Sequence, residues 1–173
     1  MSVIRMTKDL GEATTVLRTL VEGATIVAFE YAATQFSIRL EAGKKEPTGM
    51  PQELLLALNS EWWVGSRELF GQEAARIPFH SVRLQSEYLA RACALTAAMG
   101  SEVARVDLSA DGSLELATSD GEVFHISGRE TVFDESWLLL AEPGQPNSDD
   151  WSVVCDSSGE VYARSPEGPL TTE

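Results

Sequence analysis

The second half of this 173-residue chain is nearly empty of basic residues. From residue 101 to 173 only Arg105, Arg129 and Arg164 stand against 16 Asp or Glu, a net of −13, whereas residues 1–100 carry 10 basic and 11 acidic side chains, a net of −1. A half-chain with so little positive charge has no stripe that could release counterions from a phosphate backbone, so nucleic acid is not an expected ligand. Cysteine is scarce as well. Cys93 and Cys155 are too few for a disulfide framework, and both are expected to be buried, unpaired thiols. Histidine is limited to His80 and His125, and neither a C-x-x-C nor an H-x-x-x-H pattern occurs, so no zinc site is expected. Long apolar runs are missing: Leu54 to Leu58 and Trp137 to Ala141 fall far short of the roughly 20 residues of a membrane span. Arg5, Lys8 and Asp9 interrupt the N-terminus where a signal peptide would be apolar. The expected address is cytoplasmic, with no membrane partner.

Catalytic signatures are missing too. There is no G-x-G-x-x-G, no G-x-x-x-x-G-K-S/T and no G-x-S-x-G. A Cys–His nucleophile pair would need Cys155 with His125 or Cys93 with His80, but Val154 and Asp156 flank Cys155 with apolar and negative groups that disfavour a thiolate. The chain is therefore not expected to be an enzyme, and no cofactor or metal is implied.

What is present is enough apolar sequence for a core. With 43% hydrophobic and 23% charged residues, one domain over 1–173 is the expected size. Inside it lies an internal echo. Gly23 to Tyr31, Phe36 to Leu40 and Gly43 can be laid on Gly100 to Leu108, Leu114 to Leu116 and Gly121, with one extra residue in the second turn. Each copy follows a helical pattern, Leu10, Ala13, Leu17, Leu20, Val21 in the first and Leu84, Tyr88, Ala92, Leu95, Met99 in the second, that stops at its glycine. Each then reaches a tryptophan-centred segment, Trp62 to Val64 or Trp137 to Leu140. Two related helix-plus-hairpin units, 7–65 and 81–164, are one reading of this echo, and chance likeness of two ordinary units is the other.

Strand signals dominate the second half. Val106, Leu108, Leu114 and Leu116 alternate with acids across the turn dipeptide Asp111-Gly112, and Glu122 to Ile126 follows Asp120-Gly121. Trp137 to Ala141, Trp151 to Cys155 and Val161 to Ala163 complete six strands, with the tail from Ser165 expected to fray. The fold class is α+β: antiparallel sheet or sheets with packed helices. One sheet is expected to carry all six strands, with a helix from Ser81 to Met99 on it. Leu54 to Leu58 fits either a short helix or a buried strand, and Gly65 to His80 reads as irregular linker.

Carboxylate pairs such as Asp134-Glu135 and Asp149-Asp150 could bind a hard cation but ordinarily face solvent. A general salt adaptation would coat both halves, so the lopsided charge points to a localised acidic face. Trp62, Trp63, Trp137 and Trp151 read first as core. Trp151, beside Asp149 and Asp150, also has the composition of an interface anchor.

Glu102 to Ile126, Trp137 to Leu140 and Trp151 to Ala163 together make a small acidic α+β chain without catalytic residues. In style and charge it resembles the small immunity proteins of bacterial toxin systems. That resemblance implies a protein that neutralises a cognate toxin, with a basic, nuclease-type toxin as partner. Asp107, Asp111, Glu115, Asp120, Glu122, Asp134, Glu135, Asp149, Asp150 and Trp151 would form the partner-binding surface. A self-associating interaction domain, including a homodimer, and a small-ligand or cation-binding module are the other expectations.

Overall fold

The computed structural model describes residues 4–32, 35–43, 50–77, 86–142 and 150–166. Among them the chain is α+β, with three helices and eleven strands in two antiparallel sheets. In order these are β1 (Ile4–Thr7), α1 (Leu10–Val21), β2 (Thr25–Ala32), β3 (Gln35–Glu41), β4 (Glu53–Leu58), β5 (Trp62–Val64), α2 (Arg67–Arg76), α3 (Ser86–Ala97), β6 (Val103–Leu108), β7 (Leu114–Thr118), β8 (Val123–Ile126), β9 (Glu135–Ala141), β10 (Ser152–Asp156) and β11 (Val161–Pro166). The larger sheet runs β1-β11-β10-β9-β4-β3-β2 and the smaller β5-β8-β7-β6.

Alternation along each strand sets which face is buried. Phe36, Ile38 and Leu40 of β3, Leu54, Leu56 and Leu58 of β4, and Trp137 and Leu139 of β9 point into one core, together with Leu114 and Leu116 of β7 and Phe124 and Ile126 of β8. The Leu54 to Leu58 run is a strand. Its ladder partners on both sides, β3 and β9, leave Leu55 half-buried on the outer face while Leu56 is 1% exposed. Helix α1 is capped by Asp9, whose carboxylate accepts from Glu12 N, and it seals the core with Ala13, Val16, Leu17, Leu20 and Val21.

Two sets of backbone hydrogen bonds join the sheets. Gly23 N donates to Val103 O and Val103 N to Ala24 O, while Gly100 N donates to Ile26 O and Ile26 N to Ser101 O. Exchanging each residue with the one 77 positions away turns the first set into the second. The exchange carries the bridge between Thr25 and Glu102 onto itself, matches φ of +86° at Gly23 with +86° at Gly100, and matches the register shift at Ile26/Ala28 with that at Val103/Arg105. The match continues across the next strands. Leu58 at the end of β4 sits opposite Trp137, and Ile126 at the end of β8 sits opposite Trp62. The strand after each hairpin therefore pairs with the other unit's hairpin.

This exchange is why the six strands of the second half do not share one sheet as expected. β6, β7 and β8 lie in the smaller sheet, and β9 crosses to pair with β4, taking β10 and β11 into the larger one. The helix on β6, β10 and β11 is α1, while α3 packs against α2. The expected linker holds α2, whose Ser66 side chain caps Leu69 N. The Gly71 in its middle masks the helix to a periodicity reading. Cys93 is exposed, contrary to expectation, because the core-facing positions of α3 are Tyr88, Ala92 and Leu95, which lie around the helix from it. The start of the expected helix, 81–85 with Leu84, lies outside the described residues. Ser165 and Pro166 extend β11 against β1 instead of fraying.

The inward and outward leucines of β4 should separate in a stability assay. Leu56→Ala is expected to cost about 2–5 kcal/mol and Leu55→Ala under about 1.5 kcal/mol, read by denaturant unfolding.

Candidate functional site: an acidic three-loop end

Three loops that are far apart in sequence meet at one end of the molecule. They are the β6–β7 turn at Asp111-Gly112, the β8–β9 segment from Ser127 to Asp134, and the β10–β11 turn from Asp156 to Gly159. Glycine makes the meeting possible. A Cβ at Gly112 would stand 2.6 Å from Cys155 Sγ and 2.7 Å from Gly159 O, and one at Gly128 or Gly159 would collide with the Asp111 carbonyl. Polar groups then tie the loops together. Glu130 N donates to Ser157 O at 3.3 Å, Ser157 N to Asp134 O at 2.8 Å, and Gly128 N to Ser113 Oγ at 3.3 Å. Below them the buried Trp137 donates its indole N–H to Gly112 O at 2.9 Å, and the Cys155 thiol lies 3.6 Å from Gly112 O and 3.5 Å from Gly128 O.

This junction brings Asp111, Glu130, Asp134, Glu135, Asp156 and Glu160 to one end, where Arg129 acts on Asp111 and Lys8 reaches Glu160. The carboxylates do not converge on a common point. Asp111 Oδ1 accepts from Ser113 N, Glu130 Oε1 from Thr131 N and Val132 N, and Asp156 Oδ1 from Ser158 N and Oγ and Glu160 N. Each acid thus stiffens its own turn. Among the described residues no group of three or more His, Cys, Asp or Glu is placed to hold a metal ion.

The same bonds act on ionisation. The backbone N–H and then the hydroxyl of Ser113 hold Asp111 below the usual carboxylate range. At Asp156 partial burial pushes upward, but the Ser158 hydroxyl and the Glu160 and Ser158 N–H groups outweigh it, and the net shift is downward. Both acids stay charged at neutral pH. Their contribution to stability is present above the unfolded-state value and fades as pH falls through the lowered folded one. Burial first, then the charges of Asp156 and Asp111, push the Cys155 thiol up to about 12. Cys155 is buried, and these surroundings disfavour its thiolate.

The remaining expected residues are distributed elsewhere. Asp107 and Glu115 are cross-strand neighbours on the outer face of the smaller sheet. There Glu115 Oε1 lies 3.0 Å from His125 Nδ1, His125 stacks on Trp63, and Arg18 and Arg105 pair with Asp107. Asp120 and Glu122 occupy the β7–β8 turn, where Asp120 accepts from the Ser101 hydroxyl. Asp150 stands at the start of β10, the end of that strand remote from Asp156. Trp151 is 5% exposed and belongs to the core, which leaves it no surface with which to anchor an interface. Asp149 and His80 lie outside the described residues.

Of the residues singled out in the sequence, the structure brings Asp111, Asp134 and Glu135 to one end and distributes the other described ones elsewhere. Glu130, Asp156 and Glu160, which were not among them, lie at the same end. The available signal was the turn Asp156-Ser-Ser-Gly159, whose carboxylate-capped geometry matches that at Asp111. No helix among the described residues is long and apolar enough to cross a membrane. No family model, curated protein or solved structure matches the chain.

Gly159→Ala is expected to cost more than about 2 kcal/mol, since it adds a clash to a φ of +93°, whereas Gly71→Ala within α2 should stabilise by up to about 1 kcal/mol. Thermal unfolding of the two variants checks the contrast. Iodoacetamide should alkylate Cys93 in the native protein and leave Cys155 unmodified until denaturant is added, as peptide mass mapping would show.

Proposed function

We propose that the chain is a single acidic protein-binding domain, built from two related units, 7–65 and 81–164, that neutralises a cognate basic protein in the manner of immunity proteins. The observation that carries this reading is the three-loop end. Six carboxylates from three distant loops stand on a platform fixed by Gly112, Gly128 and Gly159, with Arg129 near Asp111 and Lys8 near Glu160. A fixed array of like charge is costly to assemble, since self-repulsion opposes the compact state. It becomes useful when an array of opposite sign docks on it. Rigid turns lower the entropy lost on docking, and complementary charge accelerates encounter and rejects wrong partners.

The partner this chemistry fits is a protein with a basic cleft. A nuclease-type toxin has such a cleft because its own substrate is a polyanion, and acids covering the cleft would exclude that substrate by occupancy and by charge. Asp111, Glu130, Asp134, Glu135, Asp156 and Glu160 are the proposed contacts. Asp107, paired with Arg18 and Arg105, and Glu115, whose Oε1 lies 3.0 Å from the His125 ring nitrogen, contribute long-range field more than contact.

The test is kinetic. A basic protein captured from the source cells and released by salt would be purified, and its association with the immobilised chain followed between about 20 and 500 mM salt. The association rate is expected to fall at least about tenfold over that range. A rate that does not change with salt contradicts the proposal.

A further inference from the structure

The internal match between the two units breaks at one place, and the break exposes a strand edge. Beyond the Thr25–Glu102 bridge, β2 and β6 diverge, and among the described residues no strand pairs with the other side of either. At the β6 edge Val106 turns its N–H and C=O away from β7, and α1 satisfies both. Glu22 Oε1 accepts from Val106 N at 3.0 Å, and Arg18 Nε donates to Val106 O at 3.0 Å. The residues 77 positions from Arg18, Glu22 and Val106 are Leu95, Met99 and Phe29. Neither Leu95 nor Met99 carries a group that can cap a backbone edge.

Register then identifies the open groups. Phe29 pairs with Ile38 as Val106 pairs with Leu116, and Tyr31 with Phe36 two residues on. In an antiparallel ladder such alternate residues direct both backbone groups to the same side. The N–H and C=O of Phe29 and Tyr31 therefore face outward, and among the described residues no hydrogen bond reaches them from that side. Helix α3 does not close the gap, because it packs on α2 and meets β2 through Tyr88, whose ring lies 5.4 Å from Tyr31. Proteins ordinarily cover or charge such an edge. Among the described residues it is left open beside an aromatic shelf of Phe29, Tyr31 and Tyr88.

We propose that the β2 edge is a strand-addition site for an extended, basic segment of a partner protein. The added strand would bond to the backbone of Phe29 and Tyr31. Its residues on one face would be apolar and lie on the aromatic shelf. Those on the other face would be Lys or Arg, because the outward neighbour on β2 is the exposed Glu30, and the single Arg39 that pairs with it at 3.0 Å is shared with Glu142 at 3.7 Å, which leaves negative charge in excess there. A second copy of this chain is a poor occupant: each copy carries a net charge of −14, and pairing centred on residue 30 would oppose Glu30 to Glu30. The site goes beyond the neutralisation reading, since it lies in the nearly neutral first half of the chain and shares no residue with the acidic end.

Amide hydrogen exchange on the full chain tests this, with a blocked octapeptide of alternating Val and Lys as the probe and alternating Val and Glu as its control. In the free protein the Phe29 and Tyr31 amides should exchange at least about tenfold faster than Val106, after correction for intrinsic rates. The Val/Lys peptide should slow Phe29 and Tyr31 and leave Val106 unchanged, and the Val/Glu peptide should slow neither. Tyr31→Pro removes an outward N–H without touching the β2–β3 ladder and should abolish the effect, with Val106 exchange reporting that the fold is intact. Glu30→Lys, which keeps the strand, should reverse the preference between the peptides. No protection by the Val/Lys peptide, equal protection by both, or protection in the free protein that rises with its own concentration would each overturn the proposal. None of these outcomes depends on the salt response of the acidic end, so the two readings fail separately.

Discussion

The rest of the architecture depends on the four backbone hydrogen bonds around the Thr25–Glu102 bridge. They require a helix to stop and its chain to reverse into a strand at the same point in both units. Gly23 and Gly100 permit this with φ of +86°, a conformation that side-chain-bearing residues adopt only at a cost. Once β2 and β6 are joined there, α1 is carried onto the edge of β6. Each hairpin then presents its third strand, β4 or β8, to the strand that follows the other hairpin. Trp137 and Trp62 enter the core at matching places for this reason, opposite Leu58 and Ile126.

The two halves then diverge in what they do with a shared plan. After Trp62 the first unit ends its strand early and continues into α2. After Trp137 the second unit extends through β9 into β10 and β11, which end at Asp156 and begin again at Val161. That extra hairpin supplies the third loop of the acidic end. Without it Gly112 and Gly128 would have no Gly159 to pack on, and Asp156 and Glu160 would not stand beside Asp111. The meeting of Asp111 with Asp156 and Glu160 at one end is thus tied to an addition that the first half lacks, although most of the second half's negative charge lies outside that hairpin. The β2 edge left open in the first unit is the counterpart of an edge that Arg18 and Glu22 close in the second.

Much of the local structure was legible in the sequence. Alternation at Val106, Leu108, Leu114 and Leu116, the turn at Asp111-Gly112 and the glycines after each helix are short-range signals, and the α+β class follows from them. The pairing of β9 with β4 was not legible. Trp137 to Ala141 is apolar on both faces, which announces a strand without naming its neighbour, and strand partners are chosen by packing across the whole core. Helix α2 was hidden by Gly71 and by a face that buries only Ala74. Of the acidic end, Asp111, Asp134 and Glu135 could be anticipated from charge. Their meeting with Asp156 and Glu160 depends on glycine contacts between loops about 15 to 50 residues apart in sequence, which no periodicity encodes.

The acidic end and the open β2 edge lie toward the same end of the larger sheet, where Gln35, Asn59, Ser136 and Asp156 begin or finish neighbouring strands. Four strand spacings separate β2 from β10, roughly 19 Å, within the span of one protein interface. The most direct test of the acidic end as the docking surface is a hydrogen-exchange footprint of the chain bound to its captured basic partner. The account predicts protection confined mainly to 111–113, 128–134 and 156–160, with the β7–β8 turn at Asp120 and Glu122 exchanging as in the free protein. Protection of that opposite turn with none at the three-loop end would contradict it.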